Sequence, residues 1–197
     1  SSQSRPLQSP SYMPMITFEA CWKTHAVGIY PFVTVGHHSN GQTGTTYDSS
    51  GHVNTRTGDF YTNFVKLGYA MSAAAWPHHK IGIVYEIHPV HGWWFSIDEA
   101  IKGSYGRKRI HCYYSYERKN LKAEVNYTRI YDSWELAQGV SPNILEINFS
   151  WRLPGLQNVA WLFTNFYQGQ DYYNIDFARQ IRQFKMGLAI HTKLISL

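Results

Sequence analysis

Leu145-Glu146-Ile147-Asn148-Phe149-Ser150-Trp151-Arg152 alternates apolar and polar side chains without a break. In an extended chain successive side chains point to opposite faces, so this segment has one apolar wall and one polar wall. A helix would scatter the same residues around its axis. The pattern predicts a β-strand that separates two unlike environments. Upstream, Ala123, Val125 and Tyr127 oppose Lys122, Glu124 and Asn126, and Ile110, Cys112, Tyr114 and Tyr116 oppose His111, Ser115 and Glu117. Ile81, Ile83, Tyr85 and Ile87 alternate with Lys80, Gly82, Val84 and Glu86.

Further out, the same period of two runs through 59–71, where Asn63 interrupts the apolar side, through 27–39, and through Ile16, Phe18, Ala20 and Trp22 against Thr17, Glu19, Cys21 and Lys23. Toward the C-terminus, 159–168 is apolar on both sides, and Phe184, Met186, Leu188 and Ile190 alternate with Gln183, Lys185, Gly187 and Ala189. The predicted fold class is all-β and antiparallel, with about nine strands in this chain.

The connections discriminate between two all-β architectures. They alternate in length: short at 24–26, 72–79, 118–120 and 153–158, and longer at 40–58, 88–108, 132–142 and 169–180. A soluble sandwich has no reason for such sidedness. A transmembrane β-barrel of the outer membrane of a Gram-negative bacterium does, with short periplasmic turns, long outer loops, an apolar lipid face and a polar lumen. Mid-strand Glu19, Lys66, Glu86, Glu124 and Glu146 suit a hydrated or hydrogen-bonded interior. No apolar run of about 18 residues is present, which excludes a spanning helix but not a spanning barrel. Bacterial barrels have even strand numbers, so one or more strands are expected before Ser1.

Composition agrees with a single barrel domain over 1–197. The chain has 16% charged and 16% aromatic residues, with 15 Tyr and 7 Trp. Trp93 and Trp94 read as part of an interfacial aromatic girdle. The +5 charge and the pI near 9.1 suit anionic partners such as a lipid surface. Nucleic acid is disfavoured, because Lys and Arg cluster only at Arg107-Lys108-Arg109. Cys21 and Cys112 have no disulfide-scaffold or metal-ligand spacing. His78, His79, His88 and His91 fall in turns or loops and read as interfacial or solvated.

One stretch carries chemistry: Gly36-His37-His38-Ser39-Asn40-Gly41, at the end of the strand through 27–39. His37 and Ser39 share a face with Val33 and Val35, which places a base and a hydroxyl on the apolar wall. A serine is a weak nucleophile unless an imidazole takes its proton, and that imidazole needs a third group to fix its tautomer. The third group is expected on the adjacent strand with the same parity. Asp59 meets this at the strand's start; Asn63 shares the parity but is reckoned about 13 Å deeper at strand rise. Asn54 is a loop alternative.

His37-His38-Ser39-Asn40-Gly41 resembles the His-x-Ser-Asn-Gly motif of the outer-membrane phospholipase A family, and Phe166-Tyr167-Gln168-Gly169-Gln170-Asp171-Tyr172-Tyr173-Asn174-Ile175-Asp176 resembles its closing strand and loop. The resemblance covers the chain from about Pro10 onward. It implies a barrel of about 12 strands, hydrolysis of acyl esters of membrane glycerophospholipids at the outer leaflet, a calcium (Ca2+) cofactor, and a homodimer. It also implies that His37 is the base and Ser39 the nucleophile. The family's third residue is usually Asn in an Asn-Arg-x-Tyr-like context, where this chain has Gly58-Asp59-Phe60-Tyr61, and parity together with its place at the strand's start favours Asp59. Calcium is expected near the loop after the motif, where Asp48, Ser49 and Ser50 supply oxygens. Lipid A deacylase, another small barrel class with a His-x-Ser pair, and a catalytically silent barrel serving as a structural or partner subunit are the alternatives.

Overall fold

A computed structural model describes residues 12–39, 44–54, 58–90, 96–102, 105–131, 140–153, 160–170 and 180–190. They form one antiparallel sheet of ten strands: β1 (Met15–Glu19), β2 (Trp22–Lys23), β3 (Val27–Ser39), β4 (Tyr61–Ala73), β5 (Trp76–Ile87), β6 (Lys108–Arg118), β7 (Leu121–Ile130), β8 (Asn143–Arg152), β9 (Ala160–Gln170) and β10 (Gln180–Ile190). The order is β1-β3-β4-β5-β6-β7-β8-β9-β10, with β2 also on β3. Each strand after β3 pairs with the one before it, an up-and-down meander. Among the described residues no ladder joins β1 to β10, so the sheet is not closed. These residues contain no α-helix, only the 3-10 turn Glu99–Ile101.

The strand expected at 16–23 is present in two pieces that keep one register on β3, with Glu19 opposite Phe32 and Trp22 opposite Ile29. The break lies opposite Pro31. Ala20 N–H still donates to Pro31 O at 3.0 Å. Proline has no N–H to return, so the reciprocal bond of that pair is missing and the ladder lapses.

Through its central strands the sheet buries its polar face and exposes its apolar one, while both faces of β1 are exposed. Phe184, Met186 and Leu188 on β10 are 68%, 66% and 64% exposed. Leu67, Ile81, Tyr114, Val125, Ile147 and Phe149 continue the same wall across the sheet, all exposed. In a soluble sandwich these residues would form the core. Trp22, Trp76 and Trp151 stand exposed at the end where the connections are short. Trp93 and Trp94 lie outside the described residues.

The opposite face is organised by charge. Glu86, 1% exposed, meets Lys66 Nζ at 2.9 Å and His111 Nε2 at 3.0 Å through one oxygen. Its other oxygen meets His88 Nε2 at 2.7 Å and Arg109 Nη1 at 3.5 Å. A buried carboxylate is tolerated only with partners of this kind. On the same face Asn165 Nδ2 donates to Glu146 at 2.8 Å and to Asn148 at 2.7 Å. Where the face comes close to the backbone, glycine makes room: a Cβ on Gly36 would lie 2.3 Å from Phe64 Cζ, whose ring crosses β3 at that point.

The sidedness of the connections holds. Residues 24–26, 74–75, 119–120 and 153–159 join strands at one end, and 40–60, 88–107, 131–142 and 171–179 at the other. At the long-loop end Phe60, Ile97, Ile101 and Tyr105 form a small buried cluster that caps the top of β4.

Candidate active site

Register on β3 and β4 builds the site. Val35 lies opposite Val65, His37 opposite Asn63, and Ser39 opposite Tyr61. The backbone N–H of His37 turns away from β4 to Pro14 O at 3.0 Å, and that of Asn63 turns away from β3 to Ser96 O at 3.4 Å. His37 and Asn63 are therefore a non-hydrogen-bonded pair, the kind whose side chains come closest. His37 Nδ1 lies 2.9 Å from Asn63 Oδ1.

The amide orientation of Asn63 follows from its second contact. Its Nδ2 donates to the Ser96 carbonyl at 3.2 Å, an acceptor only, so Oδ1 is the atom turned to His37. A carbonyl oxygen accepts, so His37 Nδ1 carries the hydrogen. That leaves the Nε2 lone pair as the basic position. The ring is held on its face as well, stacked with Tyr61 at 6.0 Å between centroids and 23° between planes.

Ser39 is half-buried at the end of β3, on the face of His37. Its backbone is fixed by reciprocal bonds with Tyr12, 2.8 Å from Tyr12 N–H to Ser39 O and 2.9 Å in return. Asn40 and Gly41, which complete the motif, lie outside the described residues, as do 171–176 of the C-terminal stretch and His91.

The contact expected of Asp59 is made by Asn63 instead. Asp59 stands before β4 begins, exposed, with its N–H on Gly44 O at 3.2 Å. Register puts Asn63 level with His37 and leaves Asp59 about 13 Å further along the strand direction, beyond the last paired residue. The sequence signal was Asn63 itself, a polar intrusion on an otherwise apolar wall. Asn54 is turned into its own loop, with Nδ2 on Thr45 O at 3.0 Å.

Asp48, Ser49 and Ser50 are exposed in that loop. Asp48 Oδ1 already accepts from Ser50 N–H at 2.8 Å and His52 N–H at 3.0 Å. Calcium takes six to eight oxygens, and one carboxylate with two hydroxyls falls short of that. These three side chains do not make a calcium site by themselves. Among the described residues no group of three or more His, Cys, Asp or Glu is placed to hold a metal ion.

His88, expected to be interfacial or solvated, is 1% exposed. Thr62, the inward neighbour of Asn63 on β4, meets its Nδ1 at 2.7 Å, and Glu86 meets its Nε2 at 2.7 Å. Burial holds this imidazole well down, at about 4, so it is neutral and donates from Nε2 to the carboxylate. The polar network thus reaches β4 directly behind Asn63. His79 is bonded to Tyr114 OH at 2.7 Å.

No protein-family model matches the chain, and no curated protein and no solved structure matches it. The chemistry open to the site follows from its own atoms. An imidazole held in orientation by Asn63 and Tyr61 stands two residues from a serine on an exposed apolar wall. His37 Nε2 and Ser39 Oγ share this face but form no hydrogen bond with each other among the described residues, and a shared proton requires them to come within hydrogen-bond reach.

Proposed function

We propose that this protein is an outer-membrane serine acyl hydrolase that cleaves acyl esters of glycerophospholipids at the outer leaflet, as its resemblance to the outer-membrane phospholipase A family implies. The observation that carries the proposal is the 2.9 Å contact between His37 Nδ1 and Asn63 Oδ1, on the strand face that also bears Ser39. An asparagine is the residue type that family usually has in this role. The exposed apolar wall, the buried polar face and the one-sided long loops support a transmembrane barrel.

In the reaction, His37 Nε2 takes the proton of Ser39 Oγ as the oxygen attacks the ester carbonyl. The tetrahedral intermediate collapses when the imidazolium returns that proton to the departing lysolipid oxygen, leaving an acyl-serine. Water, deprotonated by the same nitrogen, then releases the fatty acid. Asn63 carries no charge, so its part is to hold the tautomer and to turn its amide dipole toward the imidazolium. The Tyr61 ring lies where the positive charge appears, a favourable face for a cation. The site lies on the lipid side of the wall, so the ester reaches it within the bilayer plane.

No step runs through calcium, because Asp48, Ser49 and Ser50 fall short of a site. The ion enters as an arm of the test. Purified protein in mixed micelles, with and without calcium, is given a defined glycerophospholipid or lipid A, and the products are extracted. Fatty acid and lysophospholipid, absent from Ser39→Ala, support the proposal. Release from lipid A alone reassigns the protein as a lipid A deacylase. No product from either lipid, with the barrel folded, makes it a silent barrel.

A further inference from the structure

Asn63 makes two side-chain contacts of opposite kind. Oδ1 accepts from His37 Nδ1 at 2.9 Å, and Nδ2 donates to Ser96 O at 3.2 Å. The same carbonyl takes the Asn63 backbone N–H at 3.4 Å. Ser96 belongs to the connection between β5 and β6, and the residues after it line up along the top of β4 as a short added strand. Thr62 bridges Ile97, and Asp98 N–H donates to Tyr61 O at 3.0 Å. Ile97, 2% exposed, anchors this segment among Phe60, Ile101 and Tyr105.

We propose that the 96–98 segment is a positioning element for the base: its Ser96 carbonyl selects an amide at position 63 and thereby sets the tautomer of His37. This rests on the acyl hydrolase reading for its rate consequences but not for its geometry. The reason is donor and acceptor count. A carboxylate at position 63 would accept from His37 Nδ1–H as well as an amide does, and would orient a histidine in many sites. Here its second oxygen would face the Ser96 carbonyl oxygen with no hydrogen between them. Only the protonated acid restores both contacts, donating to Ser96 and accepting from His37. Among the described residues the titratable groups facing position 63 are His37 on β3, Tyr61 on β4 and Asp98 in the added segment, with His88 and Glu86 on the opposite face behind Thr62. The Asp98 carboxylate is already engaged, accepting from Ala100 N–H at 3.0 Å.

Two variants test this. Asn63→Asp should react with a lipophilic phosphonate about tenfold more slowly than wild type at neutral pH, the scale of one lost hydrogen bond. Its rate relative to wild type should rise as pH falls and the new carboxyl takes a proton. A ratio that stays flat, or rises with pH, overturns the proposal. Ile97→Ala removes the anchor of the segment without touching the site, and is read by 15N NMR of the His37 ring in micelles, assigned by its loss in His37→Gln. The expected result is an Nδ1–H tautomer in wild type and a mixture in Ile97→Ala. An unchanged tautomer overturns the proposal. If wild type does not react with phosphonate at all, the hydrolase reading fails, and the tautomer comparison still decides the positioning role.

Discussion

Replacing Asn63 by Ala separates the two candidates for the third residue. The substitution removes a 2.9 Å contact to His37 Nδ1 and leaves the imidazole free to turn about its bond and to exchange tautomers. In the resting protein the lost bond joins neutral groups and is worth about 1 kcal/mol net. In the transition state the ring is an imidazolium and the same bond is charge-assisted, roughly twice as strong. The rate reads only the difference between the two states, about 0.5 to 2 kcal/mol, or about 2- to 30-fold. His37→Ala removes the base itself and should cost about 10²- to 10⁴-fold. Asp59 is exposed and beyond the paired part of β4, so Asp59→Ala should stay within about twofold of wild type, as surface changes away from a site do. The assay is the pseudo-first-order rate of phosphonate inactivation in micelles, with folding checked by heat-modifiable migration on a gel. Asp59→Ala as slow as His37→Ala, with Asn63→Ala near wild type, would refute the register argument.

Other consequences follow from the same contacts. Glu86→Gln takes one charge out of a cluster holding Lys66 and Arg109, and should destabilise the folded protein by about 3 to 5 kcal/mol, read as a lower urea midpoint in micelles. Gly36→Ala forces Phe64 aside, since the new methyl would lie 2.3 Å from its ring, and should cost about 1 to 3 kcal/mol together with slower phosphonate reaction at Ser39, further along the same strand. Pro31→Val returns the missing N–H, so the 31 amide should become protected from hydrogen exchange and β1 and β2 should join; an unprotected amide would mean that proline is not the cause of the break. Asp48→Ala should leave the phosphonate rate with added calcium within about twofold of wild type, because its carboxylate serves the turn through Ser50 and His52.

The period of two made the strands and their two faces legible in the sequence, and loop length made the ends legible. Both depend only on local spacing, which a single chain displays. Register was not legible across the long connection 40–60, because no turn type fixes it there. That is why spacing alone puts His37 and Ser39 on one face but does not separate Asp59 from Asn63 as their partner. Parity admitted both, and only the pairing of β3 with β4 ranks them. The break at Ala20 and Cys21 was hidden for a related reason, since its cause is Pro31 on the neighbouring strand. His88 looked like a loop residue from its position. Its burial is decided by Glu86, two residues earlier, and by Thr62 on another strand, partners that local spacing does not reveal.

The central claim is that Ser39 is a nucleophile activated by His37 on the apolar wall. Folded wild-type protein in micelles, treated with a lipophilic fluorophosphonate and digested, should carry one adduct per chain on the peptide containing Ser39, and none in His37→Ala. Folded wild-type protein with no adduct at Ser39, or an equal adduct without His37, would contradict it.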